Sequence, residues 1–272
     1  MSFVTIANPA DARLDDYRNI PDGELVASRG IFVAEGRLVV SRLLTESTCA
    51  TRSVMVTEAA RAALADVLAA RPDVPAYVVP QAVADGVAGL HIHRGCLAIG
   101  VRPEPRPWPE MFRLKAEATT TVVILERIAN ADNVGGVFRN AAAFGADVVL
   151  LDATSTDPLY RKAIRTSMGA ALRVPFARME PWPEALHDLR RMGFALLAMT
   201  PAADALPLRE CAARVSGLPV ALVLGHEGDG LSEAALDACE LRARIPMASG
   251  IDSVNVASAS AIALYERQAR RT

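Results

Sequence analysis

The sequence predicts an α/β protein of two domains, a small one followed by a larger one built on a parallel sheet. Three observations lead there. Apolar runs such as "TTTVVILE" and "LPVALVLG" alternate with helix-like stretches, the pattern of strands covered on both faces. In "VRPEPRPWPE", residues 101–110, prolines at alternate positions fix φ and remove backbone donors, which predicts an extended, semi-rigid connector. A chain of 272 residues suits one large domain or two ordinary ones. The expected boundaries are a first domain over 1–101, a linker over 102–116 and a second domain over 117–272.

The elements follow in order. In the first domain "LVASRGIFVAEGRLVVSRLLT" predicts a short strand, a turn and a helix, and "SVMVTE" a strand. "EAARAALADVLAARP" predicts one helix ended by Pro72, and "PAYVVP" and "CLAIGVRP" two further strands. In the second domain "TTTVVILE" is a strand feeding the polar, glycine-bearing turn and small-residue helix of "NADNVGGVFRNAAAFGAD". "ADVVLLD" is a strand, "RRMGFALLAMT" a helix end and strand, and "LPVALVLG" another strand. "ELRARIPM" and the helix "NVASASAIALYERQARR" close the chain. No internal repeat interrupts the series.

With 51% hydrophobic and 22% charged residues, the chain has an ordinary globular composition able to bury a core. Its apolar runs fall short of the ~18–20 residues of a membrane span. The opening "MSFVTIANPADARLDDYR" has early acids and no apolar core, so it does not read as a signal peptide, and a cytoplasmic location is expected. Four cysteines, Cys49, Cys96, Cys211 and Cys239, lie far apart with no CxxC pair; reduced, mostly buried thiols are expected. His91 and His93 flank one residue of an expected strand and have no companion ligands, so no metal site is expected. A net charge of −2 announces no global field for nucleic acid, although local patches suffice for binding.

In an open parallel sheet, ligands bind beyond the carboxyl ends of the strands. The loops there read "ERIANADNVGG", "TPAADA", "HEGDGLS" and "ASGIDSVNVAS", three of them rich in Gly, Asn, Ser and acids, and they are expected to converge on one crevice. The first fits neither a dinucleotide fingerprint nor a P-loop. Gly135 and Gly136 either open a helix toward a phosphate or make a tight strand-to-helix turn. Arg139, among Val137, Phe138 and three alanines, either snorkels from an exposed face or serves chemistry.

Taken together, three blocks resemble the signature motifs of the SpoU/TrmH family of RNA ribose 2'-O-methyltransferases, in the SPOUT superfamily. "NADNVGGVFRNAAAFGAD" resembles the first through Asn133, Gly135, Arg139 and Phe144-Gly145. "LVLGHEGDGLS" resembles the second through Gly225, Glu227, Gly230 and Leu231-Ser232, and "IPMASGIDSVNVASASAIAL" the third through Ile245-Pro246-Met247, Ser253 and Asn255. The likeness spans residues 120–270. Two positions depart from it: Val254 stands for the usual leucine and Ala257 for a second serine. In the first domain "VAEGRLVVSRLL" and "HIHRGCLAIGV" look like the ends of a ribosomal-protein-like RNA substrate-binding domain often fused to this family.

The resemblance implies S-adenosylmethionine-dependent 2'-O-methylation of a ribose in rRNA or tRNA. It also implies a deep trefoil knot in the C-terminal domain, which connection rules would not suggest, and a homodimer packed through that domain. Carried onto this chain, the cofactor would lie against Thr200, Gly225, Ile245 and Val254, largely through backbone groups. Arg139 would either take the ribose proton or clamp the adjacent phosphate, and Asn133 would orient Arg139 or the ribose. Glu227 would hold the loop or pair with the arginine. Ser253 would contact the nucleotide; it or Asn255 would alternatively cap the last helix. Arg161, Arg165 and Arg173 would reach RNA phosphates. The competing readings are a non-catalytic RNA-binding protein that keeps the knotted fold and a base-methylating SPOUT enzyme.

Overall fold

The computed structural model describes residues 3–112 and 119–269. Residues 113–116 of the expected linker, and the last residues of the expected final helix, lie outside the described residues. The chain divides into two compact units, one of Met1–Glu104 with Pro158–Arg173, the other of Pro105–Asp157 with Val174–Thr272.

The first unit carries β1 (Phe3–Thr5), β2 (Ile31–Glu35), β3 (Thr51–Val56), β4 (Ala76–Val78) and β5 (Cys96–Val101) in the order β1-β4-β3-β5-β2. The sheet is mixed: β5 runs antiparallel to both β2 and β3, whereas β4 is parallel to β1 and β3. Leu14, Tyr17, Leu25, Ile31, Leu97 and Ile99 form part of its core, and the fully buried Tyr17 meets its polar need at Ser53 Oγ, 2.6 Å away. Gly100 of β5 makes room for Phe32, since a Cβ there would lie 2.1 Å from the ring.

Helix α1 (Arg37–Thr45) follows β2 as expected. The single helix expected over 58–72 is instead α2 (Glu58–Ala63) and α3 (Ala65–Ala69), interrupted at Leu64; Leu64 and Leu68 are both buried. Helix α4 (Gln81–Ala88) was not expected, because alanines and Gly86 dilute its apolar periodicity. His91 and His93 lie in the turn before β5 and not in a strand. The reason is Asp85, whose carboxylate takes bonds from the Ile92 backbone N–H and from His91 Nδ1, both at 2.8 Å, and so fixes a bend.

The second unit is a seven-stranded sheet of β6 (Thr121–Leu125), β7 (Val148–Leu151), β8 (Phe176–Arg178), β9 (Ala195–Met199), β10 (Leu206–Pro207), β11 (Val220–Leu224) and β12 (Leu241–Arg244). The order is β10-β12-β9-β11-β6-β7-β8 and every pairing is parallel, as the apolar runs predict. Helices α5 (Ala131–Phe144), α7 (Ala185–Arg191), α8 (Leu208–Arg214), α9 (Glu233–Ala238) and α10 (Val256–Gln268) connect or flank the strands; α6 (Arg161–Thr166) belongs with the first unit. There the Asp22 carboxylate accepts the Arg161 N–H at 3.0 Å and Ser47 Oγ donates to Leu172 O at 2.9 Å.

The proline-rich stretch is extended only to residue 107. From Trp108 to Phe112 it coils into a 3-10 turn, because burying Trp108 and Phe112 against Phe194 and Leu186 outweighs the preference of prolines for extension. All four cysteines are free thiols. Burial pushes the Cys96 and Cys239 thiols up to about 12, which leaves them protonated and poor nucleophiles.

Candidate functional site

Because β9, β11 and β12 are parallel and adjacent in the group β12-β9-β11, their carboxyl ends open on one edge of the sheet. A cavity of ≈ 440 Å³ lies there. It receives Thr200 from the loop after β9, Gly225 and Glu227 from the loop after β11, and Ile245 from the segment after β12. Ser253, Val254 and Asn255, just before α10, complete it. Seven of the nine site residues expected from the sequence are thus brought together, and three of the four expected loops line the cavity.

The fourth loop joins at one step removed. Asn133, buried at 7% exposure, accepts at Oδ1 a 2.9 Å bond from Asn255 Nδ2. Asn255 Oδ1 in turn caps α10, accepting from the backbone N–H of Ala257 at 2.8 Å and of Ser258 at 3.4 Å. Of the two capping candidates it is therefore Asn255 and not Ser253 that caps the helix. Asn133 itself sits inside α5, whose cap is Asn130, with Oδ1 accepting from Asp132 N at 2.9 Å.

The glycine pair of the first loop has neither of its expected roles. Gly135 and Gly136 lie within α5, not in a turn and not at the helix start. A Cβ on Gly136 would lie 2.6 Å from the Ala257 Cβ, so the two small residues let α5 and α10 approach closely. That contact also accounts for Ala257: the position faces the neighbouring helix. Asn140 reinforces the seam, donating to Ala257 O at 2.6 Å and to Ser260 Oγ at 2.9 Å.

The loop after β11 turns back on itself. A Cβ on Gly225 would meet the carbonyl carbon of Gly230 at 2.4 Å and Leu231 N at 2.5 Å, so only glycine fits beneath the returning backbone. His226 N–H donates to Gly230 O at 3.1 Å and Gly230 N–H to His226 O at 3.0 Å. Arg127 holds the same turn from the end of β6, donating to Gly230 O at 3.1 Å and pairing with Asp229 at 3.7 Å. Its own backbone is in the left-handed region, φ 57°, with its N–H on Asp152 Oδ1 at 3.1 Å.

Two buried carboxylates hold the strand ends beneath the loops. Glu126 accepts from Ser232 N–H at 2.8 Å, Ser232 Oγ at 2.7 Å and Trp182 Nε1 at 2.8 Å. Burial works against the charge on Asp152, but the Ser155 and Thr154 hydroxyls and the Arg127 and Ser155 N–H groups outweigh it and hold the carboxyl below its usual range. Arg127, Glu126 and Asp152 were not anticipated from the sequence. The polar step from "VVIL" to "ER" at a strand end was the available signal, and it does not say where the side chains point.

Arg139 is exposed and does not line the cavity of its own chain, and it has no hydrogen-bond or ion-pair partner among the described residues. Glu227 is exposed at the rim, and neither expected holding role is seen for it among the described residues; His226 and Arg127 hold the loop instead. In the first unit Arg165 pairs with Glu35 at 3.6 Å and Arg173 with Glu46. Among the described residues no group of three or more His, Cys, Asp and Glu could hold a metal, and no helix is long and apolar enough to cross a membrane.

The model of the SpoU rRNA methylase family matches residues 120–265. An uncharacterised tRNA/rRNA methyltransferase of Mycobacterium tuberculosis is 42% identical over 268 residues, 96% of this chain and 90% of that protein. An rRNA methyltransferase of Sinorhizobium meliloti, solved with AdoMet bound, superposes with a TM-score of 0.82 at 23% identity over 98% of each chain. A solved RNA 2'-O ribose methyltransferase superposes with a TM-score of 0.81 at 26% identity, covering 98% of this chain and 99% of that one. The cavity thus lies within a family-matched region that is more than half of the sequence, and the chain belongs to the SpoU rRNA methylase family.

Proposed function

We propose that this protein transfers the methyl group of S-adenosylmethionine to the 2'-hydroxyl of a ribose in rRNA or tRNA. The observation that carries the proposal is the convergence of Thr200, Gly225, Ile245 and Val254 on one cavity with Glu227, Ser253 and Asn255 at its rim. The residues present fit the cofactor. The volume is within the ~300–1,000 Å³ usual for such ligands. Leu224, Ile245 and Val256 offer an apolar slot, and Glu227 and Asp252 add negative charge to a lining that would take a cationic cofactor.

S-adenosylmethionine supplies a methyl already activated by its positive sulfur. The work left to the chain is to align the ribose oxygen and relieve it of its proton. A guanidinium in water keeps its proton, and Arg139 is exposed, which supports the phosphate-clamp role over the base. Since Arg139 stands outside the cavity of its own chain, we assign it to the cavity of a second copy, in a homodimer packed through the C-terminal domain. The segment between β12 and α10 is where we place the trefoil knot. The 26% identity to an RNA 2'-O ribose methyltransferase favours ribose over base.

The test is methylation of unmodified rRNA and tRNA transcripts with labelled cofactor, followed by digestion to nucleosides and mass spectrometry. Label on the ribose is expected; label on the base alone would overturn the ribose assignment. Arg139→Lys, which keeps the charge but loses the planar fork, is expected to lower kcat about 100-fold or more. Its cofactor affinity and melting temperature are expected to stay within experimental error of wild type.

A further inference from the structure

The turn over Gly225, held from the end of β6 by Arg127, is also gathered by one of its own side-chain atoms. His226 Nδ1 accepts the backbone N–H of Gly228 at 3.1 Å and that of Asp229 at 3.2 Å. A ring nitrogen that accepts carries no hydrogen, so the structure requires the neutral imidazole with its proton on Nε2. This turn is also a wall of the cavity, since His226, Glu227, Gly228 and Gly230 line it.

We infer that His226 is a positioning residue whose neutral form holds the cofactor wall closed and whose protonation opens it and releases S-adenosylmethionine. The inference rests on reading the cavity as the S-adenosylmethionine site. A proton on Nδ1 turns the acceptor into a donor, so two backbone N–H groups face an N–H and both bonds are lost. The charge it adds also lies against a wall that takes a cationic sulfonium.

The charged groups around the ring are Asp229 on its own turn and Arg127 from the end of β6, which pairs with Asp229, while Glu227 and Asp252 line the same cavity. Asp229 Oδ2 is 3.9 Å from Nδ1 and pairs with Arg127 at 3.7 Å in the closed turn. Once protonated, the imidazolium competes with Arg127 for that carboxylate, which gives the open turn an arrangement of its own. The carboxylates favour the switch and Arg127 opposes it.

The test uses the full-length protein. Long-range proton–nitrogen spectra of the imidazole ring report the tautomer, and calorimetric titration with S-adenosylmethionine at about pH 8 and about pH 5.5 brackets imidazole protonation. The Nε2-protonated tautomer is expected at the higher pH, with affinity roughly tenfold weaker at the lower, as the loss of two hydrogen bonds implies. His226→Asn can accept the same two N–H groups through its amide oxygen but does not titrate, so its affinity is expected to lack the pH step. His226→Ala is expected to bind about tenfold more weakly than wild type at pH 8.

A hydrogen on Nδ1 at pH 8, or a pH step undiminished in His226→Asn, overturns the inference and leaves the cofactor reading standing. Wild-type protein that does not bind S-adenosylmethionine at pH 8 overturns the cofactor reading, and the inference with it. If His226→Asn fails to fold, the wild-type tautomer and pH step decide.

Discussion

At the scale of single residues, the site depends on acceptors that sit behind it. Asp152, just past the end of β7, collects hydroxyl and backbone donors from Thr154 and Ser155 and the backbone N–H of Arg127 beyond β6, the strand that leads into the first motif. These bonds lower its folded-state pKa below the ordinary value, so its contribution to stability is full above the ordinary aspartate range, ~3.9, and disappears as pH falls through the folded value. Asp152→Asn is expected to destabilise by about 2 kcal/mol at pH 7, the worth of hydrogen bonds to a buried charge. The difference from wild type should shrink as urea unfolding is repeated toward pH 2. A gap that stays constant with pH would show that packing, not charge, sets the cost.

At the scale of elements, the pairing of α5 with α10 links the first motif to the third. The seam is made by Gly136 against Ala257, and it brings Asn133 within 2.9 Å of Asn255. In an isolated helix Gly→Ala is favourable by up to ~1 kcal/mol. Here the added methyl meets Ala257, and overpacking of that kind costs about 1–3 kcal/mol. Gly136→Ala is therefore expected to be net destabilising by about 1 kcal/mol, and the cost should diminish when combined with Ala257→Gly. Denaturation of the two single variants and the double variant measures this coupling. Strict additivity would mean that the helices have slack and that the close approach is not what positions Asn133.

At the scale of the whole molecule, the proposed division of labour is between two copies of the chain. Arg139 is exposed and does not line the cavity it was expected to serve, whereas Gly225 is part of that cavity. Arg139→Ala and Gly225→Ala should each abolish most methyl transfer, the first by removing the clamp and the second by forcing the turn off its glycine. Mixed and allowed to exchange subunits, the two inactive proteins are expected to recover activity, because a heterodimer holds one cavity with an intact Gly225 and an Arg139 from the other chain. No recovery, in a mixture shown by sedimentation to contain dimers, would place Arg139 and cavity in the same chain.

Much of this was readable from residue order. The parallel sheet follows from near-continuous apolar strands such as "VVIL" and "VALVL", since a strand buried on both faces needs no alternation. The three loops around the cavity follow from polar residues clustered after those strands. Short elements escaped, among them β1 and α4, for three to eight residues carry too little periodicity to stand out. So did the break at Leu64, the role of Gly136 and the coil at Trp108, the last two decided by contacts with residues distant in the chain.

The sequence by itself determined which residues would stand at the strand ends, because hydrophobic pattern and turn chemistry are local properties that each segment carries alone. Only the tertiary structure decided that Asn255 caps α10 while holding Asn133, that Glu126 and Asp152 are buried acceptors, and that His226 gathers its own loop. The physical reason is that a hydrogen bond or a close helix contact needs atoms to meet within a few tenths of an ångström, and residues 100 apart in the chain meet only after the whole core has packed.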